Sequence, residues 1–183
     1  SSTDQLRLTI NDNGAAGLGG ALSTSQTLTI NVALVNDAPV LSLSSSGTDT
    51  TGLFFSKQGQ TLVAPTATVS DVDGQNYSAF SVKISTGYKT GDALTLTSAA
   101  QQTLASLGLK ADLSKAGEIT FTAPAGKLLS QQDIQTVLRG VSFSSTSPIT
   151  DGETRVITFS VTDYVAAGAV TDLNKAATSN RSE

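Results

Sequence analysis

Near its start the chain alternates apolar and polar residues with period two. Leu6, Leu8 and Ile10 are one such set, and Leu28, Ile30, Val32 and Leu34 are another, with Thr27, Thr29, Asn31 and Ala33 in between. Only an extended strand sends successive side chains to opposite faces, so both runs predict strands buried on one side. The glycine-rich stretch 13–20 between them predicts a long hairpin loop. Further strands are predicted at Pro39–Ser44, Thr61–Val63, Thr66–Val69, Ser78–Ser85, Ala93–Thr97, Glu118–Ala123, Val141–Ser144 and Arg155–Asp163. Phe80, Val82 and Ile84 face inward in one of these, and Ile157, Phe159 and Val161 in another. Turn residues separate the strands at short intervals, which predicts an all-β antiparallel sandwich rather than a βαβ chain.

Two stretches break the alternation. Ser98–Leu107 and Leu129–Leu138 have helical spacing, and the second is punctuated at both ends. Ser130 is placed to cap it, Ile134, Val137 and Leu138 share a face, and Gly140 follows the last turn.

Composition removes whole classes of function. The 183 residues include no Cys, His, Met or Trp. Disulfides, thiol nucleophiles, histidine triads and the usual zinc ligand sets are therefore excluded. The formal charge is −4, and the 11 basic residues are scattered, so no nucleic-acid footprint exists. No apolar run approaches the roughly 18 residues of a membrane span. Lys is the only base left to activate Ser or Thr. Gly17-Leu18-Gly19-Gly20 has no helix or Lys-Ser/Thr after it to make a phosphate loop. The reading is not an enzyme. The missing Met fits a piece of a longer chain.

An internal echo organises the sequence. Leu8-Thr9-Ile10-Asn11-Asp12 matches Phe159-Ser160-Val161-Thr162-Asp163 in pattern, at an offset of 151. Gly/Ala-rich loops follow both, at Gly14–Ala21 and Ala166–Val170. This predicts tandem units of about 150 residues cut out of phase. Residues 1–35 are then the closing strand pair of one unit, 36–38 a linker, and 39–183 the next unit without its last strand.

The junction reads Val35-Asn36-Asp37-Ala38-Pro39-Val40. A strand, this hexapeptide and a fresh strand resemble the inter-repeat junction of the cadherin-like, immunoglobulin-like tandem repeats in giant bacterial surface adhesins of the type I-secreted kind. Val69-Ser70-Asp71-Val72-Asp73, Leu138-Arg139-Gly140-Val141 and Ile157–Asp163 extend the likeness over most of the chain. The nonapeptide Gly-Gly-x-Gly-x-Asp calcium repeat does not occur.

From residue chemistry alone, Asp71-Val72-Asp73-Gly74 places two carboxylates at a strand end and Asn36-Asp37 offers two more oxygens. Ca²⁺ takes six to eight such hard ligands. The same segments are also ordinary turn formers. The resemblance implies Asn36, Asp37, Asp71 and Asp73 as calcium ligands, with Asp12 contributing from the preceding unit. Asp151 and Glu153 are read as a solvated turn.

What the resemblance implies is a structural repeat in a calcium-stiffened extracellular stalk on the bacterial surface, used in attachment and biofilm. Its partners are neighbouring repeats of the same chain, with no membrane insertion. The alternative is a glycan- or protein-binding module, for which Tyr77, Tyr88 and Tyr164 are the tyrosine candidates, although all three read better as framework residues. The out-of-phase cut adds one expectation. Asn36–Ala38 spans only about 10 Å at ~3.3 Å per residue, too short to return Thr27–Val35 to its own sandwich. Head-to-tail strand exchange through Thr27–Val35 of another copy is therefore expected.

Overall fold

The structure is a computed structural model and describes residues 2–14, 19–32, 36–44, 59–72, 74, 76–147, 153–164 and 178–182. The loop halves 15–18 and 166–170, the end of the expected donor strand at 33–35, Asp73 and Asp151 lie outside the described residues. The fold is all-β and sandwich-like, with antiparallel sheets and two short helices among the described residues. It divides into two compact units, one of Ser1–Val35 with Val170–Asn174 and one of Asn36–Ala169 with Lys175–Glu183.

The described residues of the first unit form a hairpin. β1 (Ser2–Asn11) and β2 (Ser23–Val32) pair antiparallel over ten residues each, from Ser2↔Val32 to Asn11↔Ser23. At the neck of its loop, Asp12 Oδ1 accepts from the backbone N–H of Gly14 at 2.9 Å and of Leu22 at 2.8 Å.

The second unit holds the core. Its elements run β3 (Val40–Ser42), β4 (Thr61–Leu62), β5 (Thr68–Ser70), β6 (Asn76–Thr86), β7 (Asp92–Leu96), α1 (Ser98–Ser106), β8 (Glu118–Thr122), β9 (Leu129–Ser130), α2 (Gln131–Arg139), β10 (Val141–Ser145), β11 (Val156–Asp163) and β12 (Thr178–Ser182). The largest sheet has the order β12-β11-β6-β8, with β9 also on β6; β4-β10-β7 and β3-β5 complete the set. Alternation dictates the packing: Phe80, Val82 and Ile84 of β6 and Ile157, Phe159 and Val161 of β11 are all buried. Phe80 lies directly opposite Phe121 of β8, and their rings stack with centroids 5.3 Å apart.

Both helices start where capping chemistry dictates. Thr97 caps α1, and Ser130 caps α2 through a reciprocal box with Asp133. Arg139 in the last turn of α2 completes the charge pattern the helix dipole favours. Gly140 has φ −86°, so no left-handed cap is formed. Glycine is needed there for closeness instead, because a Cβ would sit 2.6 Å from both Ala100 Cβ and Thr97 Oγ1.

One edge differs from expectation. The sequence places no strand after Asp163, yet Thr178–Ser182 pairs antiparallel with β11 from Thr158↔Ser182 to Thr162↔Thr178. Thr-Ser-Asn-Arg-Ser has no apolar alternation, so its strand character comes from backbone pairing with β11 and carries no periodic signal. The edge expected to receive Thr27–Val35 of another copy is thus paired within the chain.

Candidate metal centre

Four chain segments meet at one end of the second unit. Asn36 precedes β3, Asp71 follows β5, Tyr77 opens β6, and Asp163 ends β11. The β3–β5 ladder runs from Val40↔Ser70, which fixes Asn36 and Asp71 at the same end. The β6–β11 ladder puts Tyr77 directly opposite Asp163.

A β-bulge sets that last pair. Thr162 lies opposite Ala79 and Asp163 opposite Tyr77, so Ser78 is the extra residue. A bulge re-aims the side chains beyond it. Ser78 Oγ is turned to donate to the Asp163 carbonyl at 2.6 Å. Tyr77, out of phase with Phe80 and Val82, becomes fully buried. Asp163 continues the inward phase of Ile157, Phe159 and Val161, so a carboxylate stands where an apolar residue would otherwise sit, 4% exposed.

The polar groups converge. Asn36 Nδ2 donates to Asp163 Oδ2 at 2.5 Å and to the Asp37 carbonyl at 3.3 Å. Asp71 is half-buried, with its Oδ2 enclosed. Tyr77's hydroxyl is enclosed too and has no hydrogen-bond partner. Burial, and then the negative charges of Asp71 and Asp163, push its phenol up to about 12. Two carboxylates therefore act on one buried hydroxyl.

Of the five residues the sequence nominated, Asn36 and Asp71 enter this cluster. Asp37 lies beside Asn36 and is exposed. Asp73 lies outside the described residues. Asp12 belongs to the hairpin, where the N–H groups of Gly14 and Leu22 hold its carboxyl below the usual carboxylate range. Asp163 and Tyr77 are the residues the sequence reading missed. The echo carried a signal for one of them, since Asp163 is the counterpart of Asp12.

Two carboxylates, an amide and a phenol are all oxygen donors, the chemistry Ca²⁺ takes. The orphaned hydroxyl of Tyr77 marks where a polar occupant or its water shell would be accepted. Among the described residues no group of three or more Asp or Glu closes on one point, so a cation here would complete its sphere with amide, carbonyl and water oxygens.

A second buried carboxylate is already matched with a cation. Asp92 Oδ2 accepts from Arg155 Nε at 2.7 Å and from the Lys89 backbone N–H at 2.8 Å. Burial alone would raise its pKa; hydrogen bonds from Arg155, Ser145 and the Lys89 N–H outweigh that and hold it low. Glu153 bonds Lys89 and Arg155, so it is part of an ion-pair network rather than a solvated turn.

The three tyrosines do not form one cluster. Tyr77 is in the core, Tyr88 follows the C-terminal end of β6, and Tyr164 donates its N–H to Asn76 at the other end. Eleven residues of strand separate the latter two by on the order of 30 Å. Among the described residues no helix is long and apolar enough to cross a membrane.

No family model, curated protein or solved structure matches the chain.

Proposed function

We propose that the second unit is a cadherin-like, immunoglobulin-like module of a calcium-stiffened extracellular stalk, in a bacterial surface protein that serves attachment. The observation that carries this reading is the convergence of Asn36, Asp71 and Asp163 around the unpartnered hydroxyl of Tyr77. A buried hydroxyl without a partner costs about 1–3 kcal/mol, and a hydrated cation beside it relieves that cost. Asn36 binds Asp163 through its amide nitrogen; turning the amide would present its oxygen to an ion instead.

The ligand set is then Asp71, Asp163 and the Asn36 amide oxygen, with Asp37 and Asp73 supplied by the same two segments. Asp12, the echo of Asp163, serves the equivalent end of the preceding module. Asn36 and Asp37 lie in the segment that joins the two units, so an ion held there couples that segment to the ends of β5 and β11. An inter-domain linker is mobile by default, and tying it down stiffens the array.

Calorimetric titration of the full chain with Ca²⁺, repeated on Asp163→Asn, tests the site. Saturable binding in the parent and its loss in the variant are expected. Absence of binding at millimolar Ca²⁺ removes the proposal.

A further inference from the structure

The hairpin β1–β2 carries an exposed apolar face. Directly opposed residues share a face in an antiparallel pair. The register Leu6↔Leu28, Leu8↔Gln26, Ile10↔Thr24 and Asp4↔Ile30 therefore sets Leu6, Leu8, Ile10, Leu28 and Ile30 on one side. These five are 43–62% exposed. The other side is wholly polar; there Arg7 donates to Ser25 Oγ at 3.2 Å. An isolated two-stranded hairpin is marginal in water, and one that exposes such a stripe is incomplete.

The second unit contains a strand of the β1 pattern in completed surroundings. At the 151-residue offset, Leu6, Leu8, Ile10 and Asp12 stand for Ile157, Phe159, Val161 and Asp163, all four of which are buried. β11 has β12 on one edge and β6 on the other. Among the described residues, β1 has β2 on one edge and no strand on the other. We infer that the free edge and apolar face of β1–β2 are completed by a β-sandwich of the second unit's design that lacks its own β11–β12 pair, β1 entering beside that module's β6 in the register of β11. Leu8 then lies opposite the residue equivalent to Val82, Ile10 opposite Phe80, and Asp12 opposite Tyr77, as Phe159, Val161 and Asp163 do here.

Two rival occupants fit less well. A second hairpin laid face to face covers roughly 330 Å² of each partner, from ~33 Å of strand and ~10 Å of width, far below the ~800 Å² per partner of a stable interface. An intact second copy offers no vacancy, because its β6 is paired on both edges by β11 and β8.

The inference rests on the tandem-module part of the proposed function and not on calcium, so its test is run in EGTA. Residues 1–151 are fused ahead of the full 183-residue chain, which sets the hairpin where β11–β12 would follow in the upstream module. Amide exchange in β1 and β2 is compared with that of the single chain. Slowing by about 100-fold or more is expected. The chain has no cysteine, so a pair can be introduced cleanly. Thr9→Cys in the hairpin with Ser81→Cys upstream mirrors Ser160↔Ser81 and is expected to form a disulfide. Thr9→Cys with Lys83→Cys is two residues out of register and is not expected to. Exchange as fast as in the single chain, whether or not the upstream module folds, overturns the inference, as does equal cross-linking of both pairs. Concentration-dependent self-association of the single chain that Leu8→Lys abolishes overturns it too, in favour of a second copy. A failed calcium titration leaves this result standing, and a failed fusion leaves the metal site standing.

Discussion

Asn36 and Asp163 are 127 residues apart in sequence and 2.5 Å apart in space, the amide nitrogen of the first on a carboxylate oxygen of the second. The bond ties the segment that enters the second unit to the last residue of β11. It also places a neutral donor against a buried carboxylate that shares its surroundings with Asp71 and Tyr77. On the proposed reading, a cation would displace that donor by offering more charge.

Asp163→Asn removes charge and keeps shape. In EGTA the variant is expected to unfold close to the parent's temperature, since asparagine keeps the shape and an oxygen that can accept from Asn36. If the parent binds Ca²⁺ as proposed, it is expected to gain about 2.7 kcal/mol, or some 5–10 °C, at 100 times the dissociation constant. The variant is expected to gain nothing. Thermal unfolding of both with and without Ca²⁺ checks this.

Tyr77→Phe separates packing from polarity. The ring stays and the unpartnered hydroxyl goes, so the metal-free protein is expected to gain about 1 kcal/mol in urea unfolding. Calorimetry on the same variant is expected to show weaker Ca²⁺ binding, because the hydroxyl that faces the ion or its water is absent. A variant less stable than its parent in EGTA would mean that the hydroxyl is already satisfied.

Arg155→Met tests the other buried carboxylate. The arginine is 11% exposed and the Asp92 side chain 0%. Removing one partner of a buried pair costs about 3–5 kcal/mol. The sign with pH follows from Asp92's lowered pKa. A depressed carboxylate contributes stability above its unfolded value, about 4, and loses it as pH falls through the folded value. The gap between parent and variant, measured by urea unfolding, is therefore expected to be full at pH 7 and to shrink below about pH 4.

Much of the scaffold was legible because burial on one side writes a period of two. Phe80–Ile84 and Ile157–Val161 were readable for that reason, and the N-cap at Ser130 was readable from its chemistry; Leu6–Ile10 forms the expected strand, but its apolar face is exposed rather than buried. The site was legible only in part. Asn36 and Asp71 stand in turn-forming segments whose composition suits a cation. Tyr77 was invisible because the extra residue Ser78 breaks the period, and a strict alternation from Phe80 points Tyr77 to solvent. Asp163 was hidden by its own phase, which reads as core. β12 was hidden because pairing through the backbone alone leaves no periodic trace.

Gly140 shows how a correct position can have a different cause. A glycine after a helix suggests a left-handed cap, and there alanine would be strained by its backbone. Here φ is −86°, which any residue adopts, and the constraint is the approach of Ala100 and Thr97. Gly140→Ala is therefore expected to cost about 1–3 kcal/mol through overpacking, as forced expansion of a tight contact does. The cost should fall when Thr97→Ser and Ala100→Gly are added, beyond what those changes do alone, because both atoms that meet the new methyl are then absent or freer to turn. A double-mutant cycle in urea separates the two causes: strain in the backbone predicts additivity, and a clash predicts a coupling of about 1 kcal/mol between position 140 and the α1 start.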